Sequence, residues 1–214
     1  GSLVNSLATF ESEIVEDALP LQTAEGAPCY IWSNAPQSDS PVANLLDNSS
    51  STFFHSNWQS STAPVDGLAH HLTVELGTDN SLSTFKFYYQ ARTGAGLGDY
   101  PKTIKVQGSN NGTDYVDIVT VEPRDANGGV IQNGAEWTSD VIECGIRYSY
   151  LRFMVTATIT NKKKDGHIYF HMAEFKIYPA SIYAILKDEY AEYEGVITTE
   201  NVAAAWEETL LAKA

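Results

Sequence analysis

The residues with the greatest chemical potential lie close together, between Leu45 and Trp58. An Asp/Asn/Ser cluster that includes Asp47 opens this segment and is typical of a turn, and three aromatic residues and His55 follow it. Oxygen atoms of such a turn are the ligands that hard cations prefer. Aromatic faces beside a ring nitrogen suit the recognition of an organic ligand. The segment therefore indicates binding chemistry.

The rest of the sequence offers no arrangement that indicates catalysis. Gly94, Gly96 and Gly98 have the wrong spacing for a dinucleotide-binding fingerprint, and no predicted helix follows them. His167 and His171 fall on one predicted strand, where their rings would stand about 13 Å apart and could not share a metal ion. No paired carboxylates, Ser/His pair or phosphate-binding loop stands out. An enzyme is therefore the least favoured class.

The charge of the chain argues against nucleic acid as a partner. Its formal net charge is −14, and an acidic protein repels phosphate backbones. The charge is concentrated at the ends, because residues 26–180 carry only −4. The one basic run, Lys162–Lys164, stands beside Asp165 and Gly166, as expected for a solvated hairpin tip. No apolar run approaches the ~18 residues that span a bilayer, so we expect no membrane insertion.

The two cysteines, Cys29 and Cys144, lack the clustered spacing of a zinc site. They either form one disulfide or remain two small buried residues, and their separation does not decide between these alternatives. We expect free thiols.

From about Cys29 to Tyr178 the sequence reads as short strands separated by turns. Apolar residues alternate with polar ones, as in Leu72, Val74 and Leu76, which is the period of a half-buried strand. Asn111-Gly112 is a hairpin signal. The strands are predicted at residues 71–76, 83–90, 103–107, 114–121, 147–157 and 168–178. This spacing without intervening helices predicts an all-β sandwich.

The two ends of the chain have helical patterns instead. Residues 1–27 are predicted to form an N-terminal helical extension, whose apolar stripe stops at Pro20. Residues 180–214 are predicted to form a second extension, interrupted by Gly195. Each stripe is apolar on one side only, so we expect it to pack on the other extension or on an adjoining domain of a longer polypeptide. The domain between them spans residues 28–179.

Several local motifs within residues 28–178 are similar to those of one known family. They are the opening segment 45–58, Leu72–Gly77, Pro101–Gly112 and Ala173–Phe175. Together they resemble the F5/8 type C (discoidin-like) domain, which includes the family 32 carbohydrate-binding modules. The resemblance implies a galactose-binding-like β-sandwich, or jelly roll, and the helical patterns at the two ends add short flanking α-helices to it.

The resemblance also implies a structural Ca²⁺ that joins the first acidic loop to the last strand. Side-chain carboxylates would come from Asp47 and Glu174, and Thr52 would add its hydroxyl or its carbonyl oxygen. Main-chain carbonyls would come from Asn44, Ser49 and Ala173. This set approaches the six to eight oxygens that Ca²⁺ takes. The alternative is that Asp47 caps a turn and Glu174 lies exposed on an edge strand.

A ligand-binding face is implied at the loops of one end of the sandwich. His55 and Trp58 match the family's His-x-x-Trp, in which the His bonds a sugar hydroxyl and the Trp stacks on the ring. Arg92 matches an Arg that forks onto two hydroxyls. Asp99 stands near the position of a family Asn, and it either accepts from a hydroxyl or pairs with Arg92. His70 could reach this end from a neighbouring loop. The alternatives are a core aromatic for Trp58 and a hydrogen-bonded loop histidine for His55.

We therefore expect a non-catalytic carbohydrate-binding module that targets a larger secreted or cell-surface glycan-degrading protein to its substrate. The implied partners are a glycan, of galactose or N-acetylhexosamine type, and adjoining domains of a longer chain. The implied location is extracellular, periplasmic or cell-surface, in a bacterium. The main rival is an adhesion or scaffold module that binds a protein partner. A phospholipid-binding role is less favoured, because the loop 34–41 offers neither apolar spikes nor Lys and Arg.

Overall fold

The computed structural model describes residues 17–59 and 63–180 of the 214-residue chain. Residues 1–16 of the expected extension 1–27 and residues 181–214 of the expected extension 180–214 therefore lie outside the described residues. Within the described ranges there is no α-helix, only two single-turn 3-10 helices, Val42–Leu45 and Thr78–Asn80. The strands are, in order, β1 Tyr30–Ser33, β2 Phe54–His55, β3 His71–Glu75, β4 Leu82–Gln90, β5 Pro101–Ser109, β6 Val116–Val121, β7 Glu136–Thr138, β8 Ile142–Tyr148, β9 Tyr150–Thr158, β10 Lys163–Lys164, β11 His167–Ile168, β12 His171–Met172 and β13 Glu174–Pro179.

Two antiparallel sheets form the sandwich. The first has five strands in the order β1-β3-β9-β5-β6. The second places β4 between β13 on one side and β7 and β8 on the other. Two short ladders, β10-β11 and β2-β12, lie in the loop regions. This architecture confirms the all-β sandwich that the alternating pattern predicts.

The core lies between the inner faces of the two sheets. The alternate residues Phe85, Phe87 and Tyr89 of β4 are fully buried, as the period-2 pattern predicts. The Phe153 ring on β9 packs 5.0 Å from the Phe87 ring and 5.0 Å from the Phe175 ring on β13, so aromatic contacts join the sheets. Apolar burial of this extent is the main force that holds the sandwich closed.

Two strands that were predicted to be continuous are divided in the structure. The strand expected at 147–157 is divided at Ser149, because β8 pairs with β4 in one sheet and β9 pairs with β3 and β5 in the other. The strand expected at 168–178 is divided into β11, β12 and β13. His171 therefore pairs with β2, and only the residues from Glu174 onward join β4.

The segment before β1 also contacts the sandwich. Leu19 donates its backbone N–H to the Ile177 carbonyl at 2.8 Å, and Gln22 forms an isolated bridge with Tyr30. Leu19 and Leu21 pack against the core. Residues 18–27 thus share a compact unit with the strands, Ala18–Pro179.

Three turn and cysteine predictions are confirmed. The lysine run forms the hairpin β10-β11, with Asp165 and Gly166 at positive φ in its turn. Gly112 adopts a φ of 72° between β5 and β6. Cys29 and Cys144 are both free thiols.

Candidate functional site

His55 occupies the floor of a group of aromatic rings. It ends β2 and stands directly opposite His171 in the β2-β12 ladder. Its Nδ1 lies 2.6 Å from the Ser56 carbonyl oxygen, and since a carbonyl only accepts, Nδ1 must donate. The remaining ring nitrogen, Nε2, faces Asp99 Oδ2 at 3.8 Å, which is too long for a hydrogen bond.

Two aromatic residues flank His55. The Trp58 ring centroid lies 5.8 Å from that of His55, and the Trp58 side chain is exposed, with 43% of its surface accessible. The half-buried Tyr169 ring lies at the same distance of 5.8 Å from His55. The Trp58 alternative of a core aromatic is therefore wrong. Tyr169 was not among the predicted site residues, although its place shortly before the Ala173-Glu174 motif is a signal that could have identified it.

Arg92 supplies hydrogen-bond donors near this group. Its guanidinium carbon lies 3.5 Å above the centre of the Phe53 ring, in a cation–π arrangement. The guanidinium forms no hydrogen bond and no ion pair with any residue that the structure describes. Burial lowers the pKa of Arg92, although the group stays protonated. The Tyr100 hydroxyl lies 2.8 Å from the Arg92 carbonyl oxygen and 2.6 Å from that of Gly94, so its single hydrogen is shared between two carbonyls at the start of the loop.

Asp99 faces His55, and no ion pair between Asp99 and Arg92 occurs in the described structure. Its Oδ1 lies 3.2 Å from the Thr160 hydroxyl, and its backbone carbonyl accepts from the His171 amide at 3.2 Å. Burial tends to raise the pKa of Asp99, but the proximity of His55, His171 and the Thr160 hydroxyl outweighs this effect. The pKa of Asp99 therefore lies below its ordinary value.

The placement of His70 corrects its predicted role. Only 1% of this residue is exposed, and its Nδ1 lies 2.9 Å from the Ser56 hydroxyl, which also accepts from the Phe170 amide. The His70 ring stacks on His167 at 6.0 Å. His70 therefore supports the loops from below and does not reach a ligand at the surface.

His171 also lies at this end of the sandwich, although it was not among the predicted site residues. It is 1% exposed, and neither ring nitrogen has a hydrogen-bond partner among the described residues. Its ring meets Tyr100 edge-to-face at 4.7 Å and His55 at 5.3 Å. His167 and His171 thus lie on different short strands and contact different histidines, so the prediction of a single strand for both was wrong.

The residues expected to hold a metal converge on the Ser49 amide. This N–H lies 2.9 Å from Asp47 Oδ1 and 2.9 Å from Glu174 Oε1, so the two carboxylates meet although they are distant in sequence. Thr52 donates its hydroxyl to Asp47 Oδ2 at 2.6 Å. Asn48 adopts a φ of 57°, the left-handed conformation that Asn tolerates. Glu174 is 4% exposed, so the exposed-edge alternative for this residue is wrong.

The Glu174 carboxylate is buried and only partly hydrogen-bonded within the described structure. Its Oε2 is buried and has no hydrogen-bond partner among the described residues. Burial raises the pKa of Glu174 to about 7, and the nearby Asp47 carboxylate adds to this rise. The buried oxygen, the second carboxylate and the Thr52 hydroxyl together form a donor set that fits a hard cation.

The other three expected ligands surround the same loop. The Asn44 side chain donates to the Phe53 carbonyl at 2.9 Å, and Ala173 donates its amide to the Gln90 carbonyl at 2.8 Å. Among the described residues no three His, Cys, Asp or Glu side chains are grouped as a metal site. The donor set at Asp47 and Glu174 has only two such side chains, and its other donors are hydroxyl and carbonyl oxygens.

Two antiparallel sheets with this loop-borne group of rings define a discoidin-like β-sandwich. A family model of the F5/8 type C domain matches residues 31–169, and the chain belongs to that family. No curated protein sequence gives a significant match. No helix within the described ranges has the length and hydropathy of a bilayer span.

Similar solved structures include domains from two bacteria. One is a family 32 module of a family 31 glycoside hydrolase from Clostridium perfringens, with 18% identity, a TM-score of 0.53, and coverage of 72% of this chain and 90% of that one. Another is the C-terminal domain of a chitobiase from Bacteroides fragilis, with 16% identity, a TM-score of 0.51, and coverage of 77% and 98%. A third is a C. perfringens family 32 module in complex with GalNAc-β-1,3-galactose, with 18% identity, a TM-score of 0.50, and coverage of 76% and 99%. At these identities the likeness establishes the fold alone.

Proposed function

We propose that this domain is a non-catalytic carbohydrate-binding module that brings a larger glycan-degrading protein to its substrate. The observation that carries the proposal is the placement of the Trp58 and Tyr169 rings, each 5.8 Å from the His55 ring, with Arg92 and Asp99 nearby. A sugar presents apolar C–H faces to aromatic rings, and it presents hydroxyls to planar donors and acceptors. The rings and polar groups of this site offer both.

Each residue has a distinct role in the proposal. Trp58 stacks on a face of the pyranose ring, and Tyr169 limits the other side. His55 accepts a hydroxyl hydrogen through Nε2, because its Nδ1 is committed to the Ser56 carbonyl. Arg92, whose donors are unused within the described structure, forks onto two sugar oxygens. The similar C. perfringens module is in complex with GalNAc-β-1,3-galactose, which makes galactose and GalNAc the first ligands to test.

The proposed role of the cation is structural. Asp47 and Glu174 would hold Ca²⁺ through their carboxylates, and Thr52 would contribute an oxygen, with carbonyls of Asn44, Ser49 and Ala173 completing the set. Bound there, the ion would neutralise two converging carboxylates and join the loop 44–52 to β13. A secreted or surface location agrees with this proposal, because Ca²⁺ sites of modest affinity are found in extracellular modules.

Calorimetric titration of the chain with galactose, GalNAc and their disaccharides tests the function. We expect binding in the micromolar to millimolar range, which Trp58→Ala and Arg92→Ala each weaken at least tenfold, about 1.4 kcal/mol. Ile146→Ala is the matched control, since Ile146 is an exposed apolar residue that belongs to β8 and not to the site. If the folded protein binds no saccharide at millimolar concentration, the proposal fails, and an adhesion or scaffold module that binds a protein partner becomes the favoured function.

A further inference from the structure

The facing pair Asp99 and His55 presents two hydrogen-bond acceptors and no donor. With its ring neutral, His55 has its only N–H on Nδ1, and that hydrogen goes to the Ser56 carbonyl. Nε2 therefore directs a lone pair toward Asp99 Oδ2, 3.8 Å away. No donor from the described residues lies within hydrogen-bond distance of Asp99 Oδ2 or His55 Nε2.

Asp99 is also short of donors at its other oxygen. Its only side-chain partner in the described structure is the Thr160 hydroxyl, at 3.2 Å from Oδ1. That hydroxyl has a single hydrogen and lies closer to the Gly98 carbonyl, at 3.0 Å. The Asp99 side chain is only 17% exposed, so water replaces the missing donors incompletely. An anion in this state binds an incoming donor strongly.

The surroundings of the pair favour a cation as that donor. The Trp58 and Tyr169 rings flank His55, and aromatic faces attract cations through their quadrupoles. Arg92 is stacked on Phe53 and makes no direct ion pair with Asp99 within the described structure, so the carboxylate keeps its charge available. Residues 26–180, which include the site, carry a net charge of −4, which adds a weak general attraction for positive ligands.

An ammonium group can donate to both acceptors and also supply a positive charge. A hydroxyl supplies one hydrogen, whereas an ammonium supplies three together with a positive charge. We propose that the site recognises a hexosamine with a free amino group, and that its ammonium lies between Asp99 Oδ2 and His55 Nε2. This inference rests on the proposed saccharide-binding function. Arg92 then donates to oxygen atoms of the same sugar.

Titration of the intact chain with matched sugars tests the inference directly. Glucosamine and galactosamine are compared with their N-acetylated forms and with glucose and galactose, near neutral pH and at low salt. We expect each amino sugar to bind at least about tenfold more tightly than its neutral counterparts, as a charge-assisted hydrogen bond implies. This advantage should shrink as salt rises toward about 0.5 M, because salt screens the charge pair.

The variant Asp99→Asn keeps the shape of the side chain, removes its charge and adds a donor. We expect it to lose the preference for amino sugars while retaining or improving the binding of neutral sugars. Asp165→Asn is the matched control, because it removes the same charge from the exposed tip of the β10-β11 hairpin. It should leave the preference unchanged.

The possible outcomes separate the inference from the function on which it rests. Neutral sugars that bind as tightly as amino sugars overturn the ammonium site, leave the carbohydrate-binding module intact and favour recognition of two adjacent hydroxyls. An Asp99→Asn protein that weakens all sugars equally also overturns the inference. Absence of binding by every sugar defeats the proposed function itself. If Asp99→Asn fails to fold, the salt dependence of wild-type binding still decides the question.

Discussion

Acidification should destabilise the sandwich through two buried histidines, His70 and His171. Burial lowers the pKa of His70 to about 4 and that of His171 to about 3, and the nearby histidines strengthen both shifts. An unfolded histidine has a pKa of about 6.5. The folded state therefore binds fewer protons than the unfolded state in the window between these values. The stability contributed by the neutral rings is fully present above about pH 6.5 and is lost as the pH falls toward the folded pKa values.

The size of the effect follows from the same values. At pH 5 an unfolded histidine is almost fully protonated, whereas a buried ring with a pKa of 3 or 4 is almost fully neutral. Each histidine then lowers the free energy of unfolding by about 2 kcal/mol relative to pH 8. The two together give about 4 kcal/mol if they act independently. A loss of this size is a large part of the stability of an ordinary domain.

The variant His171→Phe isolates one of the two contributions. Within the part of the chain that the structure describes, neither nitrogen of His171 has a hydrogen-bond partner, so a phenyl ring loses no bond there and keeps the edge contacts with Tyr100 and His55. We expect equal or greater stability at pH 8, because burial of unpaired polar atoms is removed. Between pH 8 and pH 5 the variant should lose about 2 kcal/mol less than the wild type.

Urea unfolding followed by circular dichroism at pH 8, 6.5 and 5 measures this difference. Glu174, whose raised pKa of about 7 acts in the opposite direction, is present in both proteins and cancels in the comparison. Met172→Leu is the control, since it changes a buried side chain beside His171 without changing a titrating group. Parallel pH curves for wild type and His171→Phe would refute the reasoning, because His171 would then not be a buried neutral histidine.

Three further outcomes can be checked with purified protein. Removing Ca²⁺ with a chelator should lower the melting temperature by about 5–10 °C, the effect of a ligand at about 100 times its Kd, and Glu174→Gln should abolish this response. Gly108→Ala should lower the free energy of unfolding by about 1–3 kcal/mol in urea titrations, because the new Cβ would lie 2.5 Å from the Tyr148 ring; an unchanged midpoint would contradict the close packing. Arg92→Lys should weaken saccharide binding about tenfold in calorimetry, since Lys cannot fork onto two oxygens, and full affinity would exclude bidentate contact.

Much of the sheet structure could be predicted from the sequence, because strand burial is a local property. Side chains alternate between the two faces of a strand, so the spacing of Phe85, Phe87 and Tyr89 already assigns them to the core. The turn at Asn48 and the lysine hairpin could also be predicted from the sequence, since few residue types tolerate positive φ. The breaks in the strands 147–157 and 168–178 could not be predicted, because neither range contains a glycine or proline to mark where the chain changes its pairing partner.

The candidate site shows the same division. Trp58 and Arg92 could be chosen by their residue types and by family resemblance, and both lie where a ligand could reach them. The burial of His70 and the contribution of Tyr169 could not be predicted, because each depends on which loop covers which ring. Asp99 could be identified as an acceptor, but its partner was open between Arg92 and a ligand until the fold placed it opposite His55.

By itself, the sequence determined the alternating strands, the turns and the acidic character of the chain, since each is set by residues close together along it. Only the tertiary structure brought Asp47 to Glu174 through the Ser49 amide, and His55 to Asp99, Tyr169 and His171. The physical reason is that these groups lie on segments far apart in the chain. Their proximity depends on closure of the two sheets over a common core, which no local pattern of residues specifies.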